Sequence, residues 1–200
     1  GDDTIYGGAD DVLDGGADDD TITGSIGATM RGGTGMDWLL LDLSGETDAI
    51  NFNPNHQQSS ALAIVAGTSI EGFERFHLYF GSGDDTLDLA GVVLSGDSSL
   101  FYGNEGSDTV VLDAASRGIV EAQYFEHLQA DLSAATTSIY ATESGLGFEG
   151  FSVSNYYKFT DLVITAGSGD DALSGGAGAD QLFGGAGDDT ISGGADDVLD

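Results

Sequence analysis

The sequence predicts an all-β chain wound as a right-handed parallel β-roll, a solenoid of the β-helix kind, and three observations carry that expectation. A nine-residue unit, G-G-x-G-x-D-x-U-x with U a large aliphatic residue, recurs along the chain. Glycine supplies 33 of the 200 residues against a single proline, Pro54, so the chain turns often and long helices are disfavoured. Acidic residues number 35 against four basic ones, a formal charge of −31 with His neutral, and the acids return at fixed positions of the unit.

Consecutive units open the chain, as GDDTIY (1–6), GGADDVLD (7–14), GGADDDTIT (15–23), the decayed GSIGATMR (24–31) and GGTGMDWLL (32–40). They close it as AGSGDDALS (166–174), GGAGADQLF (175–183), GGAGDDTIS (184–192) and GGADDVLD (193–200), and isolated units stand at 80–88 and 103–111. Each unit reads as a six-residue glycine turn and a three-residue strand whose middle residue points inward, so two units complete one coil. Ile5, Leu13, Ile22, Leu39, Leu87, Val110, Leu173, Leu182, Ile191 and Leu199 fill that inward position.

The middle has its own repeat. GFERFHLYFGSGDD (72–85) and YKFTDLVITAGSGDD (157–171) place a Phe eight residues ahead of the same turn, and YFEHLQADLS (124–133) is a diverged copy. Apolar residues alternate after each Phe, as Phe76, Leu78, Phe80, then Leu128, Ala130, Leu132, then Leu162, Ile164, Ala166, which is strand spacing. Propensity leaves a helix open over 120–130, but its relatives run directly into turns, which favours strand. The expectation is a single module over 1–200: nonapeptide coils at 1–40 and 166–200, and wider, less regular coils in 41–165. A longer period is also present: residues 187–200 repeat residues 1–14 with only Ser192 in place of Tyr6, an offset of 186, as in one period of a larger tandem array.

Parallel coils stack every ~4.8 Å, which brings the sixth-position carboxylates of successive turns together in columns that repel unless a cation lies between them. Those carboxylates are Asp3, Asp11, Asp20, Asp37, Asp85, Asp108, Asp171, Asp180, Asp189 and Asp197. Calcium suits such columns, being hard, tolerant of irregular geometry and satisfied by carboxylate and carbonyl oxygen; zinc would seek Cys, which is absent, or His, and His56, His77 and His127 fall outside the repeats. Fifth-position acids, among them Asp170 and Asp188, add ligands or lower the local potential. Glycines of the turns free backbone carbonyls to converge: Gly32, Gly33 and Gly35, Gly167 and Gly169, Gly175, Gly176 and Gly178, and Gly184, Gly185 and Gly187.

These units resemble the RTX, or hemolysin-type, calcium-binding repeat. The resemblance implies a parallel β-roll, several calcium ions held between turns by the sixth-position Asp and glycine-turn carbonyls, folding triggered outside the cell, and type I secretion. Two departures weaken individual sites: Thr29 or Met30 replaces the Asp at 24–31, and units 7–14 and 193–200 lack the fourth-position Gly. The expected role is a calcium-loaded extender or adhesin stalk of a large secreted or surface protein, with neighbouring copies of the module as partners. The alternatives are a non-catalytic accessory module of an exported hydrolase or toxin, and a carbohydrate-binding module meeting a surface glycan or receptor.

Composition excludes other classes. Arg31, Arg75, Arg117 and Lys158 stand singly, so no basic stripe exists for nucleic acid, and no stretch is long and apolar enough for a membrane span. GLGFEG (145–150) satisfies G-x-G-x-x-G without the strand-turn-helix setting of a dinucleotide site. Glu71 and Glu74 form an acidic pair that nothing marks as catalytic, and the expectation is no enzyme. Two aromatic groups, Phe73, Phe76, Tyr79, Phe80 and Phe148, Phe151, Tyr156, Tyr157, Phe159, are expected in the core. Threonines 21, 23, 136 and 137 do not make the regular ladder of an ice-binding face.

Overall fold

The structure, a computed structural model, describes residues 1–57, 62–65, 67–95, 98–135, 139–148 and 151–200. Short strands follow one another with glycine turns between them, because three apolar-centred residues per unit are enough for a strand and too few for a helix. β1 (Thr4–Tyr6) and β2 (Val12–Ala17) make the first coil, β3 (Thr21–Ser25) and β4 (Thr29–Thr34) the second. After β5 (Trp38–Asp42) come β6 (Asn51–Phe52), a 3-10 turn at Pro54–Gln57, β7 (Leu62–Val65) and β8 (Thr68–Glu71). Regular coils resume with β9 (Arg75–Tyr79) and β10 (Thr86–Asp88), β11 (Ser99–Tyr102) and β12 (Thr109–Asp113), and β13 (Gly118–Gln123) and β14 (His127–Asp131). The meander β15 (Tyr140–Thr142), β16 (Gly145–Phe148) and β17 (Phe151–Ser154) precedes β18 (Asp161–Thr165). β19 (Ala172–Ser174), β20 (Gln181–Phe183), β21 (Thr190–Ser192) and β22 (Val198–Leu199) complete the winding.

One layer is an 11-stranded sheet in the order β1-β3-β5-β9-β11-β13-β17-β16-β15-β19-β21. The opposing layer is two sheets, β2-β4-β8-β7 and β6-β10-β12-β14-β18-β20-β22. Pairing between coils is parallel and in register, so inward residues stack into files: Ile5, Ile22, Leu39 and Phe76 on one layer, and Phe52, Leu87, Val110, Leu128 and Leu162 on the other. The predicted parallel β-roll is the architecture observed. It is not parallel throughout: β7 runs against β8, and β16 runs against both β15 and β17. Where a coil lays three strands on one layer, the middle one must reverse for the chain to leave in the direction it entered.

The nonapeptide inward residues Leu13, Ile22, Leu39, Leu87, Val110, Leu173 and Leu182 are buried, while Ile5, Ile191 and Leu199 on the end coils are only partly covered or exposed. The middle adds phenylalanine: Phe52, Phe76, Phe80, Phe101 and Phe125 are fully buried, and Phe52 meets Phe76 edge to face at 5.5 Å. The segment open to a helical reading is strand, β13 ending at Gln123 and β14 starting at His127, with Tyr124 between them at φ 60° breaking the run. Core placement holds for Phe73, Phe76, Phe80, Phe151 and Phe159, but Tyr79, Tyr156 and Tyr157 point outward. Alternation explains the correction: Tyr79 sits between inward Leu78 and Phe80. Thr136 and Thr137, Glu149 and Gly150 of the GLGFEG match, and the side chain of His56 lie outside the described residues; Gly145 to Phe148 of that match form β16, with no helix following. Among the described residues no helix is long and apolar enough to cross a membrane.

Candidate calcium sites

Each sixth-position aspartate stands at the entrance of its strand, two residues before the inward aliphatic, where a carboxylate can reach the first amide of the neighbouring coil. The result is a ladder. The Oδ1 of Asp20 accepts the N–H of Asp3, that of Asp37 the N–H of Asp20, and Glu74 Oε2 the N–H of Asp37, at 2.8, 2.8 and 3.0 Å. On the opposing layer Asp85 accepts from Ile50, Asp108 from Asp85 and Glu126 from Asp108, at 2.7, 2.7 and 2.8 Å. Toward the C-terminal end Asp171 accepts from Ile139 and Asp189 from Asp171, while Asp180 accepts from Leu162 and Asp197 from Asp180.

In six of these carboxylates one oxygen is thereby used, and the other is not. Oδ2 of Asp20, Asp37, Asp85, Asp108, Asp171 and Asp180 is buried with no hydrogen-bond partner. An orphaned buried polar atom costs about 1–3 kcal/mol and a charged one more, so these oxygens need a cation or a proton. The effect on ionisation is consistent. Burial raises Asp37, Glu74, Asp85, Asp171 and Asp180 above the ordinary carboxylate range, against the lowering effect of the amide each accepts, and Asp108 is raised to about 7.

Glycine at the first position makes room for that free oxygen: a Cβ at Gly15, Gly103, Gly175 or Gly184 would lie 2.3–2.4 Å from Oδ2 of its own unit's aspartate, and at Gly32 2.8 Å. The second and fourth positions serve the backbone instead. Gly33, Gly35, Gly176, Gly178, Gly185 and Gly187 all have positive φ, and a Cβ on Gly187 would meet the Gly169 carbonyl at 2.0 Å. Gly167 packs on the Ala135 carbonyl and faces Gly185 from the next coil. Fifth-position acids bond the other way along the stack: Asp170 accepts the N–H of Asp188, and Asp19 that of Met36, with Oδ1 in each case.

Asp11 is different. Its register partner in the next coil is Ala28, and its Oδ2 is taken by the amide of Gly8 in its own turn at 2.7 Å. Asp197, in the matching eight-residue unit, likewise receives the amide of Gly194. The shortened turn closes on its own aspartate, which removes the orphaned oxygen. Glu74 and Glu126 were missed as column members by the nonapeptide reading. A signal existed: both follow Phe and precede an inward residue by two, the spacing of Asp37 before Leu39.

Among the described residues no three acidic or histidine side chains gather into a metal-binding cluster. A ladder gives one column carboxylate per coil, so an ion on it must complete its shell from backbone carbonyls, which suits calcium and does not suit zinc. His77 meets the Tyr79 hydroxyl at 3.1 Å, and His127, which follows the column residue Glu126, pairs with Asp161 at 3.1 Å and meets Ser107 Oγ at 2.8 Å.

The family model for the RTX calcium-binding nonapeptide repeat, in four copies, matches residues 1–30 and 165–198. No curated protein and no solved structure matches the chain. Asp37, Asp85 and Asp108 lie outside the matched residues yet make the same ladder bond. Over residues 1–30 and 165–198 the chain carries the RTX calcium-binding nonapeptide repeat.

Proposed function

We propose that this chain is a calcium-binding structural module that folds on meeting calcium outside the cell and works as an extender of a large secreted or surface protein, exported by a type I system. The observation that carries the reading is the set of six buried, unbonded Oδ2 atoms in the ladder. The residues that would hold the ions are Asp3, Asp20, Asp37, Glu74, Asp85, Asp108, Glu126, Asp171, Asp180 and Asp189, with carbonyls of the adjoining glycine turns. Bound calcium supplies the positive charge between stacked carboxylates that the protein's four cations cannot. About six to eight ions would offset roughly half of the net −31. Folding and binding are then one event, because the unfolded chain has no column.

Circular dichroism with excess chelator, followed by calcium titration, tests the reading. The expected result is a disordered chain that gains β structure with calcium and far less with magnesium. A chain already rich in β structure under chelator, and unchanged by calcium, overturns it.

A second reading, a carbohydrate-binding module, draws support from the outward tyrosines. Tyr79 stacks on Tyr102 at 4.6 Å and Tyr124 on Tyr157 at 3.8 Å, and Tyr156 borders a cleft of about 620 Å3 with Glu121, Gln123, Asn155 and Lys158. Glycan-array binding that disappears in Tyr156→Ala supports it, and an array without signal from the calcium-loaded chain removes it.

A further inference from the structure

Two coils depart from the rule of one strand per layer, and they do so by the same path. In the first, the chain enters at β6, which pairs with β10 of the following coil, then steps back through antiparallel β7 to β8, which pairs with β4 of the preceding coil. In the second it enters at β15, paired with β19 ahead, and steps back through antiparallel β16 to β17, paired with β13 behind. The first excursion lies on one layer and the second on the other. Each adds two strands, about 10 Å, to its own layer, and with layers about 10 Å apart either one alone would turn the axis by roughly 45°. The strand counts balance: one layer is 11-stranded, and the four- and seven-stranded sheets, which end at β7 and β6 with no ladder joining those two strands, bring the other to the same number.

The end coils carry nearly the same words. Residues 187–200 repeat 1–14 except for Ser192 and Tyr6, and they take corresponding places: β1 and β21 are the two edges of the 11-stranded sheet, and β2 and β22 the outer edges of the opposing layer. Asp189 accepts the amide of Asp171, and Asp3, its equivalent, donates to Asp20. Overlaying the two coils therefore joins Asp171, Asp189 (as Asp3), Asp20, Asp37 and Glu74 in one column. The apolar end supports the same partner: Leu199 is 43% exposed, whereas its equivalent Leu13, covered by Met30 of the next coil, is 7% exposed.

We infer that the partner of each end is a second copy of this chain in tandem, sharing the coil 187–200/1–14. Successive copies then form one unbroken, straight solenoid rising about 48 Å, ten strand spacings, per 186 residues. The inference rests on the extender reading and gives it a length, a direction and one carboxylate column, on the 11-stranded layer, that runs through every junction.

A two-copy chain, residues 1–186 followed by 1–200, is compared with the 200-residue chain, both in calcium, by small-angle scattering and cryo-electron microscopy. The expected long dimension grows by about 48 Å without a kink. Hydrogen exchange at the strands 190–192 and 198–199, which are the outermost of their sheets, is expected to slow by about 100-fold when the same sequence sits at the junction. A variant lacking residues 140–150 is expected to curve; if it does not fold, the two-copy comparison stands alone. Copies that fold with calcium but add much less than 48 Å, or meet at an angle, overturn this inference and leave the extender reading intact. A chain that calcium does not fold overturns both.

Discussion

Asp108 concentrates the physics of the residue scale: one carboxylate oxygen holds the Asp85 amide at 2.7 Å, and the other is buried against Gly103 with no partner. Asp108→Asn keeps an oxygen for the amide and removes the charge, so it acts with opposite sign in the two states. Under chelator the variant is expected to be more folded than the parent, because no buried charge must be desolvated. In calcium it is expected to need about 10-fold more calcium for half-folding, equal to about 1.4 kcal/mol. Calcium titrations followed by circular dichroism check both signs, and a variant weakened equally in both media contradicts the assignment. Glycine at the first position gives a second test. A Cβ on Gly32 would meet the Gly72 carbonyl at 2.0 Å and the Asp37 side chain at 2.7 Å, whereas Gly45 has nothing within 4 Å. Gly32→Ala is expected to cost about 3 kcal/mol or more in chemical denaturation, in the range of overpacked sites, and Gly45→Ala to lie within about 0.5 kcal/mol of the parent.

At the scale of elements, the strands that stay in place without the nonapeptide do so through phenylalanine. β6 is two residues long, and its Phe52 touches Phe76, Phe80 and Phe101 at ring distances of 5.5–6.3 Å, so one side chain pins a layer edge. Phe52→Ala is expected to cost about 3–5 kcal/mol, measured by denaturation in calcium. This scale also separates what could be read from the sequence and what could not. The glycine spacing made the regular coils and eight ladder aspartates legible, because each unit carries its own turn, acid and inward residue. The two excursions were legible only as wider coils in 41–80 and 112–165. Nothing local in GLGF or in LAIV states that a strand runs backward; that follows from the neighbours β8, β15 and β17, brought close by winding. Glu74 and Glu126 escaped for a related reason, since their place in a column is set by register across coils and not by a glycine turn before them. Tyr79 faces outward although its aromatic group is expected in the core, because the alternation of Phe76, Leu78 and Phe80 outweighs the grouping of aromatics by type.

For the whole molecule, acid and calcium are expected to act on the same oxygens with opposite consequences. Asp37, Glu74, Asp85, Asp108, Asp171 and Asp180 all bind protons more tightly in the calcium-free fold than in the unfolded chain, chiefly through burial, with Asp108 raised to about 7. A carboxylate raised on folding contributes stability that is present in full below its ordinary range, near pH 4, and is lost as pH climbs through the raised value. Under chelator the fold is therefore expected to weaken steadily from about pH 4 to about pH 7, and the self-repulsion of a chain with formal charge −31 at neutrality adds to the trend. Asp131, lowered by its bonds to Ser133, pulls the other way, but it is an exposed single group. Calcium reverses the slope, because the ion needs the deprotonated carboxylate and competes with the proton for it. Two thermal-melt series, one in chelator and one in calcium, are expected to cross between about pH 4 and pH 7, with the chelated chain gaining and the calcium-loaded chain losing stability toward acid. Parallel curves that both fall toward acid would mean that the ladder oxygens are not where the two ligands compete.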